Sequence, residues 1–488
     1  MNLESVLTGI EYELLWGNLN QKIDYISYDS RKVKPNSLFV CIKGFNTDGH
    51  KYIQAAIDKG AVAILVQDEV TEIPDVTILR TIDTRQALAK VASNYYKKPT
   101  QALRLVGVTG TNGKTTITHI IKAILEEEGK KTGMIGTLYA KIGDQAKKVQ
   151  HTTPEAPELE EFMHLAVEKE TDYVVMEVSS HALDLYRVNE LDFNVAIFSN
   201  LSQDHLDFHH NMDEYKKAKL KLFKMIKAQE NNYTIVNVDD NHGKNFIAET
   251  NCNTITYGLM QEADVSAIDL DISLKGTNFT VKYKNHEFKV KMKLIGLFSV
   301  YNVLAAIAFA LSEKIEPSII TKALTNIEGI PGRFEQVDLG QDFTVIVDYA
   351  HTPDGLENIL KTSKQIAENR LITVFGCGGD RDKSKRPLMG KIAAEYSNFC
   401  VVTSDNPRSE DPQAIIDDIV PGLNMVKDSR YAIILDRKDA INHAFHLAKK
   451  GDVIIIAGKG HETYQLVGEK VLEFDDREIA KETLRGLL

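Results

Sequence analysis

The sequence predicts an α/β protein of three domains, with doubly wound parallel sheets in its central and C-terminal parts. Two observations lead there. Short apolar runs bounded by glycine alternate with helical stretches along nearly the whole chain, the signature of strands crossing over through helices. That rhythm breaks twice, at Lys97-Lys98-Pro99-Thr100 and at Gly329-Ile-Pro-Gly-Arg333. A length of 488 residues, at roughly 150 per domain, agrees with about three units. We therefore expect domains at 1–98, 99–330 and 331–488.

The first segment alternates apolar runs (37–42, 61–67, 76–79) with a helical stretch at 51–59, punctuated by Asp48-Gly49 and Lys59-Gly60. Pro99 then pushes Lys98 out of helical geometry, as a linker requires. The second segment opens with a buried strand at 103–109 and continues with strands at 173–178, 195–199 and 234–238. Helices are expected between them at 115–129 and 158–169. Residues 265–293 alternate more simply and read as a small meander at the sheet edge, followed by helices at 301–312 and 317–326. After Arg333 the strand–helix rhythm restarts, with strands expected at 344–347, 371–375, 399–403, 432–435 and 452–457.

Composition narrows the function. The apolar share of 43 % and charged share of 26 % are those of a soluble globular enzyme. A net charge of -11 disfavours a nucleic-acid or anionic-membrane binder, while leaving room for a local basic pocket. Cys41, Cys252, Cys377 and Cys400 lie far apart, which argues against a disulfide framework or cysteine zinc site and fits a reducing compartment. Residues 1–15 lack the basic start and apolar core of a signal peptide, and no run reaches the length of a membrane span. A cytoplasmic protein is expected.

The strongest chemical signal is Gly107-Val-Thr-Gly-Thr-Asn-Gly-Lys-Thr-Thr116, set between a predicted strand and a predicted helix. Such a turn lets backbone N–H groups approach phosphates, and the helix N-terminus adds partial positive charge. Lys114 can bridge the outer phosphates and the Thr115 hydroxyl can ligate Mg²⁺. The strict P-loop wants glycine where Val108 stands. The motif still reads as an ATP site in a central P-loop ATPase-like sheet, with Gly110, Thr111, Asn112, Gly113 and Thr116 lining it.

Other motifs are open on residues alone. Met176-Glu-Val-Ser-Ser-His181 ends a strand in a carboxylate, Glu177, that suits either a metal or solvent. Asn200-Leu-Ser-Gln-Asp-His-Leu-Asp-Phe-His-His210 reads, alone, as a polar loop or a structural zinc site. The lysines of Tyr215-Lys-Lys-Ala-Lys-Leu-Lys-Leu-Phe223 suit a solvated helix face.

Taken with these motifs, the variant Thr-Gly-Thr-Asn-Gly-Lys-Thr resembles the Mur ligase family, ATP-dependent enzymes that add amino acids to the peptidoglycan precursor. The resemblance runs from about residue 25 to 465. It implies a Rossmann-like C-terminal domain and two Mg²⁺ ions, with Thr115, Glu177 and His205 as ligands. It also implies that Lys219 is carbamylated by CO₂ and ligates as a carbamate, with Lys221 as the confounder. Asn302, expected at the head of a helix, Arg333 at the domain boundary and Asp348 at a strand end match the nucleotide clamp. Ser30, Phe45, Asn46 and Thr47 match positions that frame the uridine and diphosphate. Thr152, Thr153, Ser179 and Arg187 match positions that hold the muramoyl-dipeptide end, whereas His151 and Leu185 depart from the pattern of some relatives.

Three loops at strand ends should hold the incoming amino acid: Arg381 in Gly376-Cys-Gly-Gly-Asp-Arg381, then Asp405-Asn406-Pro407-Arg408, then Gly458-Lys-Gly-His-Glu462. This resembles the family member that adds the third residue to UDP-MurNAc-L-Ala-D-Glu, in its meso-diaminopimelate-adding form. Diaminopimelate carries a second carboxylate that lysine lacks, and Arg408 can bind it through two charge-assisted bonds. The resemblance further implies a monomer whose partners are small molecules. The rivals are the lysine-adding ligase, folylpolyglutamate or D-Ala-D-Ala-adding synthetases and, from another class, a nucleotide-binding regulatory protein without turnover.

Overall fold

Long runs of β-branched and aliphatic residues, such as Val453–Ala457 and Tyr173–Glu177, place strands where both faces are buried, as parallel sheets demand. The computed structural model describes residues 1–45, 47–70 and 75–487 and arranges those strands in three main sheets.

The N-terminal sheet runs Glu13–Trp16, Thr77–Arg80, Ala61–Val66, Ser37–Val40, Tyr25–Ser27. It is parallel except for its first strand. The central sheet has a parallel core of Thr132–Ile135, Tyr173–Glu177, Arg104–Thr109, Val195–Phe198, Tyr233–Asn237 and Asn253–Gly258. Both of its margins turn antiparallel. The expected meander is there as Val265–Ser273, Gly276–Tyr283 and His286–Met292. The opposite margin, Ala140–Ile142 with Gln145–Lys147, was not read from the sequence.

Helices cover both faces of the parallel core. Ile117, Ile120, Ile121 and Ile124 of helix Lys114–Glu127 pack with Val303, Leu304 and Ile307 of helix Leu297–Ser312 over one face. Met163, Phe193, Leu222 and Phe223 fill the other. The C-terminal sheet runs Glu335–Val337, Thr344–Asp348, Val453–Ala457, Leu371–Phe375, Phe399–Val402, Tyr431–Ile433, with only the first strand antiparallel. A separate hairpin, Tyr464–Val467 with Lys470–Glu473, was also not anticipated.

One helix start needs correction. Gly296, at φ 100, begins helix Leu297–Ser312, so Asn302 lies more than a turn inside it and does not head it. Among the described residues, no helix is long and apolar enough to cross a membrane.

Candidate active site

The phosphate loop follows strand Arg104–Thr109, and its three glycines divide their work. Gly107 lies in the strand, where Phe193 and Leu222 leave no room for a side chain. Gly110 and Gly113 have positive φ (148 and 89) and form the turn itself. A Cβ on Gly113 would overlap Asn302 Oδ1, so the buried asparagine packs directly against the loop. Thr111 and Asn112 spend their amides on Asn200, through its carbonyl and side-chain oxygen at 2.9 Å each. That leaves the first-turn amides of helix Lys114–Glu127, the orphan donors of any helix start, to face an anion.

Two lysines converge here. Lys114 Nζ donates to the carbonyls of Gly110 (2.9 Å) and Thr111 (2.8 Å), and Lys219 Nζ donates to Gly110 O (2.8 Å). Burial lowers the pKa of both, that of Lys219 well below the usual lysine range, and Lys114 pushes Lys219 further down. Its neighbour Lys221 instead pairs with Asp184 at 2.6 Å.

Glu177 closes the other side. Its Oε2 accepts from Thr115 Oγ1 (3.0 Å) and Thr137 Oγ1 (3.0 Å), and its Oε1 from the Thr137 amide (2.8 Å). Gly136, which the sequence reading missed, gives the carboxylate its space, since a Cβ there would overlap Oε1. Arg333 reaches across from the C-terminal side and donates from Nη2 to Thr115 Oγ1 at 2.9 Å, its guanidinium over the Tyr349 ring at 4.6 Å. His205 sits at φ 55 with Nε2 3.2 Å from Asp204 Oδ2, and burial lowers its pKa well below the usual value. The residues expected around a metal thus form three groups here: Thr115 with Glu177, Lys219 with Lys114, and His205 turned onto Asp204.

Is this donor set suited to Mg²⁺? Thr115 and Glu177 offer oxygen, but a histidine and an ammonium are poor partners for a hard cation. Lys219 fits only as a carbamate, and its burial beside Lys114 favours the neutral amine that reacts with CO₂. Among the described residues, one trio of histidine and carboxylates could hold a metal, Asp48, His50 and Asp68, and it lies elsewhere.

Between the central and C-terminal sheets opens a cavity of about 350 Å³, lined by Asn112, Gly113, Thr116, Asn302, Arg333 and Asp348 among others. It also brings in Tyr301, bonded to Asp239 at 2.8 Å, and Tyr349. Asp348 already accepts the amides of Phe334 (2.6 Å) and Ala350 (2.7 Å), which fixes its carboxylate at the cavity wall.

The three C-terminal loops meet as expected. Gly379 N–H donates to Asn406 O at 2.9 Å, and Asn406 Nδ2 donates to Glu462 Oε2 at 2.8 Å. Fully buried Lys459, missed in the sequence, bonds Glu462 (2.9 Å) and Asn406 Oδ1 (3.2 Å). Burial raises the Glu462 pKa against that lysine. Burial works to raise Asp405 too, but Arg437 and Lys459 outweigh it and hold the carboxyl low. Gly458, at φ 118, leaves Asp405 Oδ2 the space a Cβ would take.

Pro407 precedes Arg408, whose backbone sits at φ 53, clamped by Leu466 O (3.0 Å) and the Gly468 amide (2.7 Å) of the hairpin. Its guanidinium donates to Gly379 O at 2.8 Å. Arg381 bonds only the Asp380 carbonyl at 2.8 Å. Among the described residues neither arginine has a carboxylate partner within 4.0 Å. Burial, then the charge of Arg381, lowers the Arg408 pKa, and both side chains pass beside Gly378.

The N-terminal loops lie across the cleft. Ser30 opens a short 3₁₀ turn, and Thr47 Oγ1 lies 3.0 Å from Tyr52 OH. Phe45, 73 % exposed, sets its ring edge-on to Phe208, centroids 5.6 Å apart. Asn46 lies outside the described residues. Thr153 Oγ1 accepts the Ser179 amide (3.0 Å) and donates to Glu177 O (2.8 Å), while Thr152 lies 3.1 Å from Thr137 Oγ1. Arg187 donates to Thr153 O (3.0 Å) and pairs with Glu155 (2.9 Å). His151 is exposed and Leu185 caps the helix Ser180–Asp184.

A nucleotide-sized cavity at a P-loop, flanked by two further loop clusters, is the layout of a multi-substrate ligase, and family models give that class its name. The Mur ligase family catalytic domain matches residues 22–96, the middle domain 108–310 and the glutamate ligase domain 332–460. The chain belongs to the Mur ligase family. It is 58 % identical, over 100 % of its length and 99 % of the relative's, to the UDP-N-acetylmuramoyl-L-alanyl-D-glutamate–2,6-diaminopimelate ligase of Syntrophomonas wolfei. A solved structure of a ligase with that name is 32 % identical, with a TM-score of 0.68 over 100 % of this chain and 99 % of that one. The MurF ligase of Thermotoga maritima, solved with ADP, shares the fold at 18 % identity and TM-score 0.64, covering 95 % of this chain and 97 % of its own.

Proposed function

We propose that this protein is an ATP-dependent ligase that joins meso-diaminopimelate to UDP-MurNAc-L-Ala-D-Glu, in the cytoplasm and as a monomer. The observation that carries the choice of amino acid is the pair Arg408 and Arg381. Two arginines side by side at Gly378, bonded among the described residues only to backbone carbonyls, suit a ligand with carboxylates at both ends. Glu462 would receive an ammonium. Lysine would leave Arg408 without its anion, and a site built around such a bond rejects the analogue lacking it.

The division of labour follows the three proposed domains, 1–98, 99–330 and 331–488. Ser30, Phe45, Asn46 and Thr47 would hold the uridine diphosphate end, and Thr152, Thr153, Ser179 and Arg187 the dipeptide end. The first-turn amides and Lys114 would bind the ATP phosphates, with Asn302, Arg333 and Asp348 around the nucleoside. The free carboxylate of D-Glu attacks the γ-phosphorus, and ADP leaves. The amine of diaminopimelate then attacks the acyl carbon and phosphate leaves, the amine proton passing to solvent. Lys114 and Arg333 offset charge on the phosphoryl group, so catalysis is positioning and charge neutralisation. Thr115, Glu177, His205 and a carbamylated Lys219 would hold Mg²⁺, which supplies further neutralisation when bound.

Phosphate release with ATP, Mg²⁺ and UDP-MurNAc-L-Ala-D-Glu, offered diaminopimelate or L-lysine in separate reactions, tests this reading. Turnover with diaminopimelate alone is expected. Preference for lysine would overturn the pocket, and silence with both would favour a nucleotide-binding protein without turnover.

A further inference from the structure

One buried cation remains without a role. Lys385 opens helix Lys385–Tyr396 of the C-terminal part, and its side chain is 5 % exposed. It makes no hydrogen bond among the described residues, and its ion-pair neighbour, Asp204 Oδ1, is 3.9 Å away. A bonded ammonium–carboxylate pair is about 1 Å shorter. Asp204 is also committed elsewhere: Oδ1 accepts the His205 amide at 2.9 Å, and Oδ2 faces the His205 ring at 3.2 Å and the His351 ring at 3.9 Å. Its stem is buried while the ammonium keeps only this distant neighbour, which leaves it free to take an anion that arrives from outside the chain.

The surroundings say where that anion sits. Gln203 Nε2, beside Asp204, donates to Asp382 Oδ2 and Ser384 Oγ at 3.1 Å each, pinning the loop that leads from Arg381 to Lys385. The same loop is tied to the phosphate loop: the Ser202 amide donates to Thr111 Oγ1 at 3.0 Å, and Thr111 Oγ1 lies 3.1 Å from Ser202 O. Lys385 therefore reaches the loop that braces the phosphate turn from the C-terminal side, by way of the segment that carries Arg381.

Building on the function proposed above, we propose that Lys385 is a catalytic residue that binds the phosphate of the acyl-phosphate intermediate. As the amine nitrogen bonds to the acyl carbon and the carbon–oxygen bond to phosphate breaks, the Lys385 ammonium donates to a non-bridging phosphate oxygen and keeps its own proton. Lys114 holds the phosphoryl group on the ATP side, and Lys385 meets it once the C-terminal domain is docked through Gln203.

The test compares wild type, K385M, K385R and D204N in steady-state turnover, with melting temperature and nucleotide affinity measured alongside. Wild-type turnover of diaminopimelate tests the ligase reading itself, and its absence overturns both readings. Given turnover, K385M should lose about 100-fold in kcat. KM for ATP and for diaminopimelate should stay within about threefold, with melting and ADP binding unchanged, and K385R should recover at least about a tenth of the rate. A kcat of K385M within about threefold of wild type overturns the proposal. So does a loss that tracks a fall in melting temperature. If D204N reproduces the whole loss and a K385M/D204N double variant, measured alongside, is no worse, Lys385 is only an ion-pair latch and the proposal also fails.

Discussion

Glu160 → Gln should relieve the protein of a pH-dependent weakness where its first two sheets meet. Glu160 lies on helix Ala156–Glu168 of the central part, which packs on helix Thr84–Tyr95 of the N-terminal part through Ala89, Ala92 and Ala156. The residue is 1 % exposed, and among the described residues neither carboxyl oxygen has a hydrogen-bond partner, nor does the nearby Ser93 hydroxyl. Burial raises its pKa from 4.5 to about 8, with Ser93 opposing and Glu190 adding to the rise. Glu190 is itself paired with Lys90 at 2.7 Å, so the local charge stays nearly balanced.

Because the folded form holds its proton more tightly than the unfolded chain, this stability is fully present below about pH 4.5 and is lost as pH rises toward 8. At about 1.4 kcal/mol per pH unit, the loss between pH 5 and pH 7.5 is about 3 kcal/mol. Glutamine keeps the shape and cannot ionise, and any fixed cost of its amide is the same at every pH. Melting of wild type and E160Q across pH 5 to 8.5 should therefore show the variant gaining several degrees on wild type as pH rises. A constant difference across that range would refute the reasoning.

Three other expectations are open to direct measurement. Arg408 → Gln should raise KM for diaminopimelate about 100-fold or more, the cost of a lost bidentate charged bond, with KM for ATP nearly unchanged; competition between diaminopimelate and lysine should narrow in the same variant. Lys219 → Arg should lower kcat by at least about 100-fold without lowering melting temperature, since arginine cannot become a carbamate, and wild-type activity should respond to added bicarbonate while the variant's should not. Gly332 → Ala should destabilise by about 1–3 kcal/mol in a denaturant titration, because φ there is +66 and a Cβ would overlap the His461 amide.

Much of the fold was legible because its strands are buried on both faces. Runs such as Leu371–Phe375 and Val195–Phe198 hold little but aliphatic and aromatic residues, and their position before glycine-rich or acidic loops marked the sheet ends. The hairpin at Tyr464–Val467 and Lys470–Glu473 was missed for the opposite reason: it is short and largely exposed, and its job is to clamp the Arg408 backbone. The helix that holds Asn302 was read as starting at 301, four residues late, because Gly296 opens it by backbone alone, with no side-chain cap. The glycine-loop lysine and Glu177 carry recognisable motifs. Asp204, Lys385 and Lys459 do not, because their meaning lies in pairings made by folding. Gln203, for instance, meets Asp382 across 179 residues. The motif marked His205 as a candidate ligand, but gave no sign of its turn onto the neighbouring aspartate.

The linker at Gly332 has a consequence for anyone redesigning this enzyme. Its peptide lies against the Gly460–His461 turn so closely that neither glycine has space for a side chain, and Gly460 is further wedged by Tyr349. One residue on, Arg333 touches the phosphate-loop threonine, and two residues past Gly460 stands Glu462 of the proposed amino-acid pocket. The proposed nucleotide and amino-acid compartments are thus geared together through bare backbone, like two wheels sharing a tooth. A new specificity grafted as isolated pocket side chains would leave that gear cut for the old substrate. A successful transplant should carry the linker and the glycine turn along with the arginines.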